Sequence, residues 1–187
     1  MTNVLLLTGP PGSGKTTVAR LVATDAPRPT VHITTDEFYR AIRTGFIAPY
    51  LPGAQEQNEV VVDAIVATVG VYARGGYDVV VDGIIGPWFL PPFRAAAADW
   101  SMSYVVLRPD LATTLERARA RAAGELKEVE AITGLHGAFA DLGELEPHAI
   151  DTSSLDPADT AAAVRKAVAS GDYLLSAGTG VHPSRTS

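Results

Sequence analysis

The stretch Gly9-Pro10-Pro11-Gly12-Ser13-Gly14-Lys15-Thr16, entered directly from the apolar run Asn3-Val4-Leu5-Leu6-Leu7-Thr8, decides the fold. The run is short and continuously apolar, the character of a strand buried on both faces. The eight residues after it match Gly-x-x-x-x-Gly-Lys-Thr, in which glycine lets the backbone wrap closely around a phosphate with successive N–H groups turned inward. A helix expected over Thr16 to Ala23 adds its positive N-terminal end. In that frame Lys15 reaches the outer phosphates and Thr16 offers its hydroxyl to Mg2+, while Gly9, Gly12, Ser13, Gly14 and Thr17 complete the cradle. The chain holds only three lysines, Lys15, Lys127 and Lys166, so Lys15 does not come from a lysine-rich background.

Four further stretches have the same strand character: Thr30 to Thr34, Asp78 to Asp82, Ser103 to Leu107 and His148 to Thr152. Helical patterns separate them over Glu56 to Ala73, Leu111 to Arg121 and Pro157 to Ala169, the last opened by Asp156-Pro157, a cap residue followed by proline. Strands alternating with helices predict a three-layer α/β fold around a parallel sheet. Residues 1–170 read as a single domain and 171–187 as a peripheral tail; Ala122 to Gly134 reads as a lid or a broken helix.

With 47% hydrophobic and 19% charged residues among 187, the chain has the composition of an ordinary globular domain. A net charge of -6 leaves no basic excess for general nucleic-acid binding, so phosphate recognition has to be local. The absence of cysteine excludes disulfides, thiolate metal sites and thiol catalysis. His32, His136, His148 and His182 lack metal-ligand spacing, and no apolar run is long enough for a membrane segment, so the expected location is cytoplasmic.

In a doubly wound sheet ligands gather at the carboxyl ends of strands, which singles out two acidic residues. Asp82 closes Tyr77-Asp78-Val79-Val80-Val81-Asp82, four apolar-leaning residues and an aspartate that holds Mg2+ directly or through water; capping the Gly83 turn is the alternative. Asp36, in Thr34-Thr35-Asp36-Glu37-Phe38-Tyr39-Arg40, is placed to accept a hydroxyl proton during attack on a γ-phosphate, or to N-cap a short helix from Glu37, or both. Glu37 would start that helix and point away.

Aromatic residues crowd the same loops. Five of the thirteen fall in Phe38-Tyr39 and Trp88-Phe89-Phe93, with Phe46, Pro49, Tyr50, Pro87, Pro91 and Pro92 nearby. Aromatic and proline-rich loops beside a phosphate site suit an acceptor with a ring or apolar body, contacted by Phe38, Asp36, Arg40, Asp82 and Trp88; packing in the core or between subunits is the other use of such residues. Arg40 or Arg43 would meet an acidic acceptor.

Together Gly9 to Thr17, Asp36, Val79-Val80-Val81-Asp82-Gly83, Leu115-Glu116-Arg117 with Arg119 and Arg121, and His148-Ala149-Ile150-Asp151-Thr152 resemble the small P-loop kinases: chloramphenicol phosphotransferase and, more distantly, gluconate kinase, shikimate kinase and zeta toxins. The resemblance spans about residues 3 to 170 and implies a P-loop NTPase fold with kinase-like strand order 2-3-1-4-5. It implies ATP and Mg2+ as cofactors and transfer of the γ-phosphate to a hydroxyl of a small molecule, with no nucleic-acid or membrane partner and a homo-oligomer as an option. On its terms Asp36 is similar to the catalytic aspartate and Arg117 lies against the adenine ring. Arg121 belongs with Arg119 to a lid at 117–135 that meets the transferring phosphoryl group, and Asp151 joins the nucleotide site. Thr34 stands where shikimate kinases carry a second aspartate two residues before the base. A nucleotide-dependent regulatory module and a zeta-toxin-like kinase of a nucleotide sugar are the competing readings.

Overall fold

The computed structural model describes residues 2–97, 100–119 and 128–175. Strand β1 (Asn3–Thr8) sends Val4 and Leu6 to one face and Leu5 and Leu7 to the other, the two-residue alternation of an extended chain. Both faces are apolar because both are covered. β1 lies at the centre of a five-stranded parallel sheet ordered β2-β3-β1-β4-β5, with β2 Thr30–Thr34, β3 Asp78–Asp82, β4 Ser101–Leu107 and β5 Ala149–Ile150. This is the expected three-layer P-loop fold and the expected strand order.

One covering layer holds α3 (Gln55–Arg74), whose Val61, Ile65, Val69 and Ala73 recur every fourth residue and bury against Val4, Leu6, Val79 and Val81; α4 (Leu90–Ala96) adds Leu90 and Phe93. The other layer pairs α1 (Lys15–Thr24) with α7 (Pro157–Ser170), bringing Val18, Ala19, Ala161, Val164 and Ala167 onto Leu5, Leu7, Val105 and Leu107. Asp156 caps α7 by accepting from the Asp159 N–H at 2.8 Å, as Asp156-Pro157 led one to expect.

Several boundaries differ from the sequence reading. β4 begins two residues early because Ser101 pairs with Asn3, polar residues that conceal the extra rungs. β5 is only two residues long: His148 ends a 3-10 turn containing Pro147, and Asp151 turns the chain away by accepting from the Ser153 N–H at 2.9 Å. The proline-rich loop after Asp82 is partly helical, a 3-10 turn at Pro87–Phe89 running into α4, whose prolines occupy first-turn positions that need no N–H donor. Of the expected lid, α5 (Leu111–Arg119) and α6 (Val129–Gly137) account for its described parts, while 120–127 lies outside the described residues. The start of the expected tail is not peripheral. Leu174 bridges Ser103 antiparallel, the Leu175 N–H donates to the Met102 carbonyl at 2.8 Å, and Leu175 is buried; 176–187 lies outside the described residues.

Candidate functional site

Three of the five strands deliver the site from their carboxyl ends. After β1 the chain turns through Gly12, whose φ of +90° is open only to glycine and where a Cβ would lie 2.5 Å from the Thr114 carbonyl oxygen. Close approach to α5 therefore fixes the loop. The Ser13 N–H donates to the Pro10 carbonyl at 3.1 Å, and Lys15 Nζ donates to the same oxygen at 3.3 Å. Gly14 caps α1 without a side-chain acceptor, which leaves the first N–H groups of that helix to an external one. Ser13 Oγ is buried with no hydrogen-bond partner among the described residues. A glycine-bounded cradle, an uncapped helix start, a lysine and an orphaned hydroxyl together fit a phosphate chain.

Asp82, at the end of β3, is 1% exposed and accepts three hydrogen bonds. Thr16 Oγ1 donates to Oδ1 at 2.7 Å, His32 Nε2 donates to Oδ2 at 2.6 Å and Thr34 Oγ1 donates to Oδ2 at 3.0 Å. The register explains the meeting: Thr34 lies opposite Asp82 across β2 and β3, and His32 is the diagonal neighbour on the same face. Burial pushes the Asp82 carboxyl up, but the hydrogen bonds from His32 and Thr16, the charge of His32 and the bond from Thr34 hold it below the usual carboxylate range. Because the Thr16 proton is given to Asp82, its oxygen lone pairs are left for the cavity side, and the pair fits a hard divalent cation. Thr34, in place of a second aspartate, serves the same carboxylate from across the sheet.

A cavity of about 1650 Å³ opens over these strand ends. Gly12, Ser13, Gly14, Lys15, Thr16, Thr17, Asp36, Arg40, Trp88 and Arg117 line it, so most residues singled out in the sequence meet in one space. Single-ligand pockets run to roughly 1,000 Å³, and this one has room for two ligands side by side. Four expected residues are not on its wall. Gly9 lies behind the loop, where a Cβ would meet the Leu107 carbonyl oxygen at 2.2 Å. Asp82 lies beneath the wall as described. Phe38 packs on the core behind α2 (Thr35–Arg40), and Asp151 is spent on the Ser153 turn. Arg121 lies outside the described residues.

Helix α2 follows β2 without a break, so Thr34 is its N-cap residue and Asp36 sits in the first turn rather than at the cap. One helical turn then carries Tyr39, not Phe38, onto the face of Asp36. Burial, and then the Asp36 charge, push the Tyr39 phenol up to about 12, so it remains a neutral donor beside that carboxylate. Glu37 also lines the cavity instead of pointing away, but Arg40 engages it, whereas no ion pair engages Asp36 among the described residues. Opposite, the Trp88 indole rests on Gly86, where a Cβ would come within 2.2 Å of a ring carbon, and meets Phe89 and Phe139 at centroid distances of 6.1 and 6.0 Å. It is held firmly yet is 49% exposed. At the other end Arg117 spans α5 and the loop before α7 by donating to the Thr152 and Leu155 carbonyls, both at 3.1 Å.

A sequence-family model described as an AAA domain, AAA_33, matches residues 4–139, from β1 to just beyond α6. The chain belongs to the AAA_33 family. The matched part carries the glycine-rich loop, Asp36, Asp82, Trp88 and Arg117. No curated protein matches the chain. Among solved structures, this AAA_33 chain is similar to the tunicamycin resistance protein of Deinococcus radiodurans, with 19% identity, 90% of this chain and 96% of that one covered, and a TM-score of 0.66. It is also similar to a sugar kinase from Janibacter sp. HTCC2649 (16% identity, 90% and 95% covered, TM-score 0.65) and to a gluconokinase from Sinorhizobium meliloti 1021 (20% identity, 89% and 94% covered, TM-score 0.64). At such identities the likeness is one of fold, the P-loop fold of kinase type. No helix among the described residues is long and apolar enough to cross a membrane.

Proposed function

We propose that this AAA_33 chain is an ATP- and Mg2+-dependent phosphotransferase that moves the γ-phosphate to a hydroxyl of a small molecule, with Asp36 as general base. The observation that carries the reading is one cavity joining the phosphate cradle to a carboxylate that no ion pair engages among the described residues. The start of α1, Lys15 and Ser13 bind the phosphates, and Arg117 stacks on the base. Mg2+, held by Thr16 and backed by Asp82, supplies neutralisation of charge on the β- and γ-phosphates.

Asp36 takes the acceptor's hydroxyl proton while that oxygen bonds to the γ-phosphorus; the bond from phosphorus to the β,γ-bridging oxygen breaks and ADP leaves. The acceptor lies against Trp88 and Tyr39, whose rings suit a flat or apolar body, with Arg40 at the rim. Antibiotic-like and metabolite-like alcohols both meet that description. Incubation with Mg-ATP and a panel of hydroxylated metabolites and antibiotics tests the reading. It expects ADP release that depends on one acceptor class, together with a phosphorylated product. Hydrolysis at one rate whatever alcohol is added would instead identify a nucleotide-hydrolysing regulatory module.

A further inference from the structure

We infer that His32 is a positioning residue for the metal site, acting through Asp82 and Thr16 to fix where Mg2+ binds. The inference rests on the reading of Thr16 and Asp82 as the metal-holding pair. None of the four histidines has ligand spacing in the sequence, and His32 lies 50 positions from Asp82, so only the pairing of β2 with β3 brings them together.

The carboxylate of Asp82 is a planar group on a soft terminal torsion, and burial alone does not choose its rotation. Donors choose it. His32 Nε2 at 2.6 Å and Thr34 Oγ1 at 3.0 Å both hold Oδ2, which turns Oδ1 toward Thr16 Oγ1 at 2.7 Å. The Thr16 hydroxyl has one proton, and giving it to Oδ1 fixes the direction of the lone pairs that meet the metal. Without His32 the longer Thr34 bond alone restrains Oδ2, so the carboxylate rotates and Thr16 loses its fixed acceptor. The imidazole itself does not ligate: its Nε2 is occupied by Asp82, and His32 is not on the cavity wall. Hydrogen-bond partners that orient metal ligands typically govern about 10- to 100-fold in metal affinity, and that is the size expected here.

The test uses the full chain and a fluorescent non-hydrolysable ATP analogue, titrated in EDTA and then with increasing free Mg2+. His32→Leu removes the donor. His32→Asn keeps a polar group too short to reach Oδ2, and His32→Gln places an amide near the Nε2 position. Expected is a rise of about 10- to 100-fold in the Mg2+ concentration at half-effect for the Leu and Asn variants, wild-type behaviour for Gln, and unchanged affinity in EDTA for all three. Leu and Asn variants that keep the wild-type Mg2+ midpoint, or a Gln variant as impaired as Leu, would overturn the inference. Equal losses with and without metal would overturn it too, because they would assign His32 to loop architecture. If wild-type binding itself ignores Mg2+, the Thr16 and Asp82 metal reading fails and His32's role falls with it, an outcome distinct from a variant-specific null result.

Discussion

The two walls of the cavity are made of different material. Toward the nucleotide the wall is backbone: a glycine-bounded loop pressed onto Thr114 and an uncapped helix start, with few side chains involved. Toward the acceptor it is side chain: Phe46, Tyr50 and Trp88, each about half exposed, with Asp36, Tyr39 and Arg40 standing out from α2. Backbone geometry suits a group that every nucleotide presents, and it leaves a rigid sequence pattern. A side-chain wall recognises one particular molecule and leaves only residue types in a neighbourhood.

That contrast predicts separable failures. The largest effect belongs to Asp36→Asn, which lowers the transfer rate by about 10²- to 10⁴-fold while nucleotide affinity holds, read from acceptor turnover beside a binding titration. Gly12→Ala attacks the other wall. A side chain at φ +90°, driven into the Thr114 carbonyl, costs about 1–3 kcal/mol of stability, measured as a fall in Tm, and nucleotide binding is lost with it. Trp88→Ala raises KM for the acceptor by about 2- to 10-fold with KM for ATP unchanged, the worth of one ring contact. Glu37→Gln is the smallest: its pair with Arg40 is exposed, so turnover and Tm hardly move. A loss in Glu37→Gln equal to that in Asp36→Asn would transfer the base assignment to the neighbouring carboxylate.

Acid provides a further probe of the nucleotide side. The native Asp82 carboxyl lies below its unfolded value, so its contribution to stability is complete above the ordinary aspartate range and is lost as pH falls through the lowered native value. Denaturant melts of Asp82→Asn across acidic pH therefore show a lower stability at neutral pH and a shallower decline on acidification than wild type.

The legibility of the sequence follows the same division. Continuous apolar runs made β1 and β3 plain, the glycine pattern placed the cradle, and Asp156-Pro157 marked the start of α7. Features that depend on tertiary contact were hidden. The Asp82 partner His32 requires the β2–β3 register, and the covering of β4 by residues 173–175 joins segments about 70 apart. On α2 a helix starting two residues earlier than expected moved Asp36 off the cap, and counting one turn onward from Asp36 would have chosen Tyr39 over Phe38. Asp151 entered the nucleotide site through the family resemblance alone, and nothing in the sequence showed that β5 stops at Ile150 and that Ser153 takes its side chain.

The central claim, that nucleotide and acceptor occupy one cavity and react directly across it with Asp36 as base, has a stereochemical test. With ATP made chiral at the γ-phosphorus and the acceptor found by the panel, a single in-line displacement inverts the configuration of the transferred group. Inversion is the result expected. Retention would mean two successive displacements through a phosphorylated protein group, and would contradict direct transfer between the two walls.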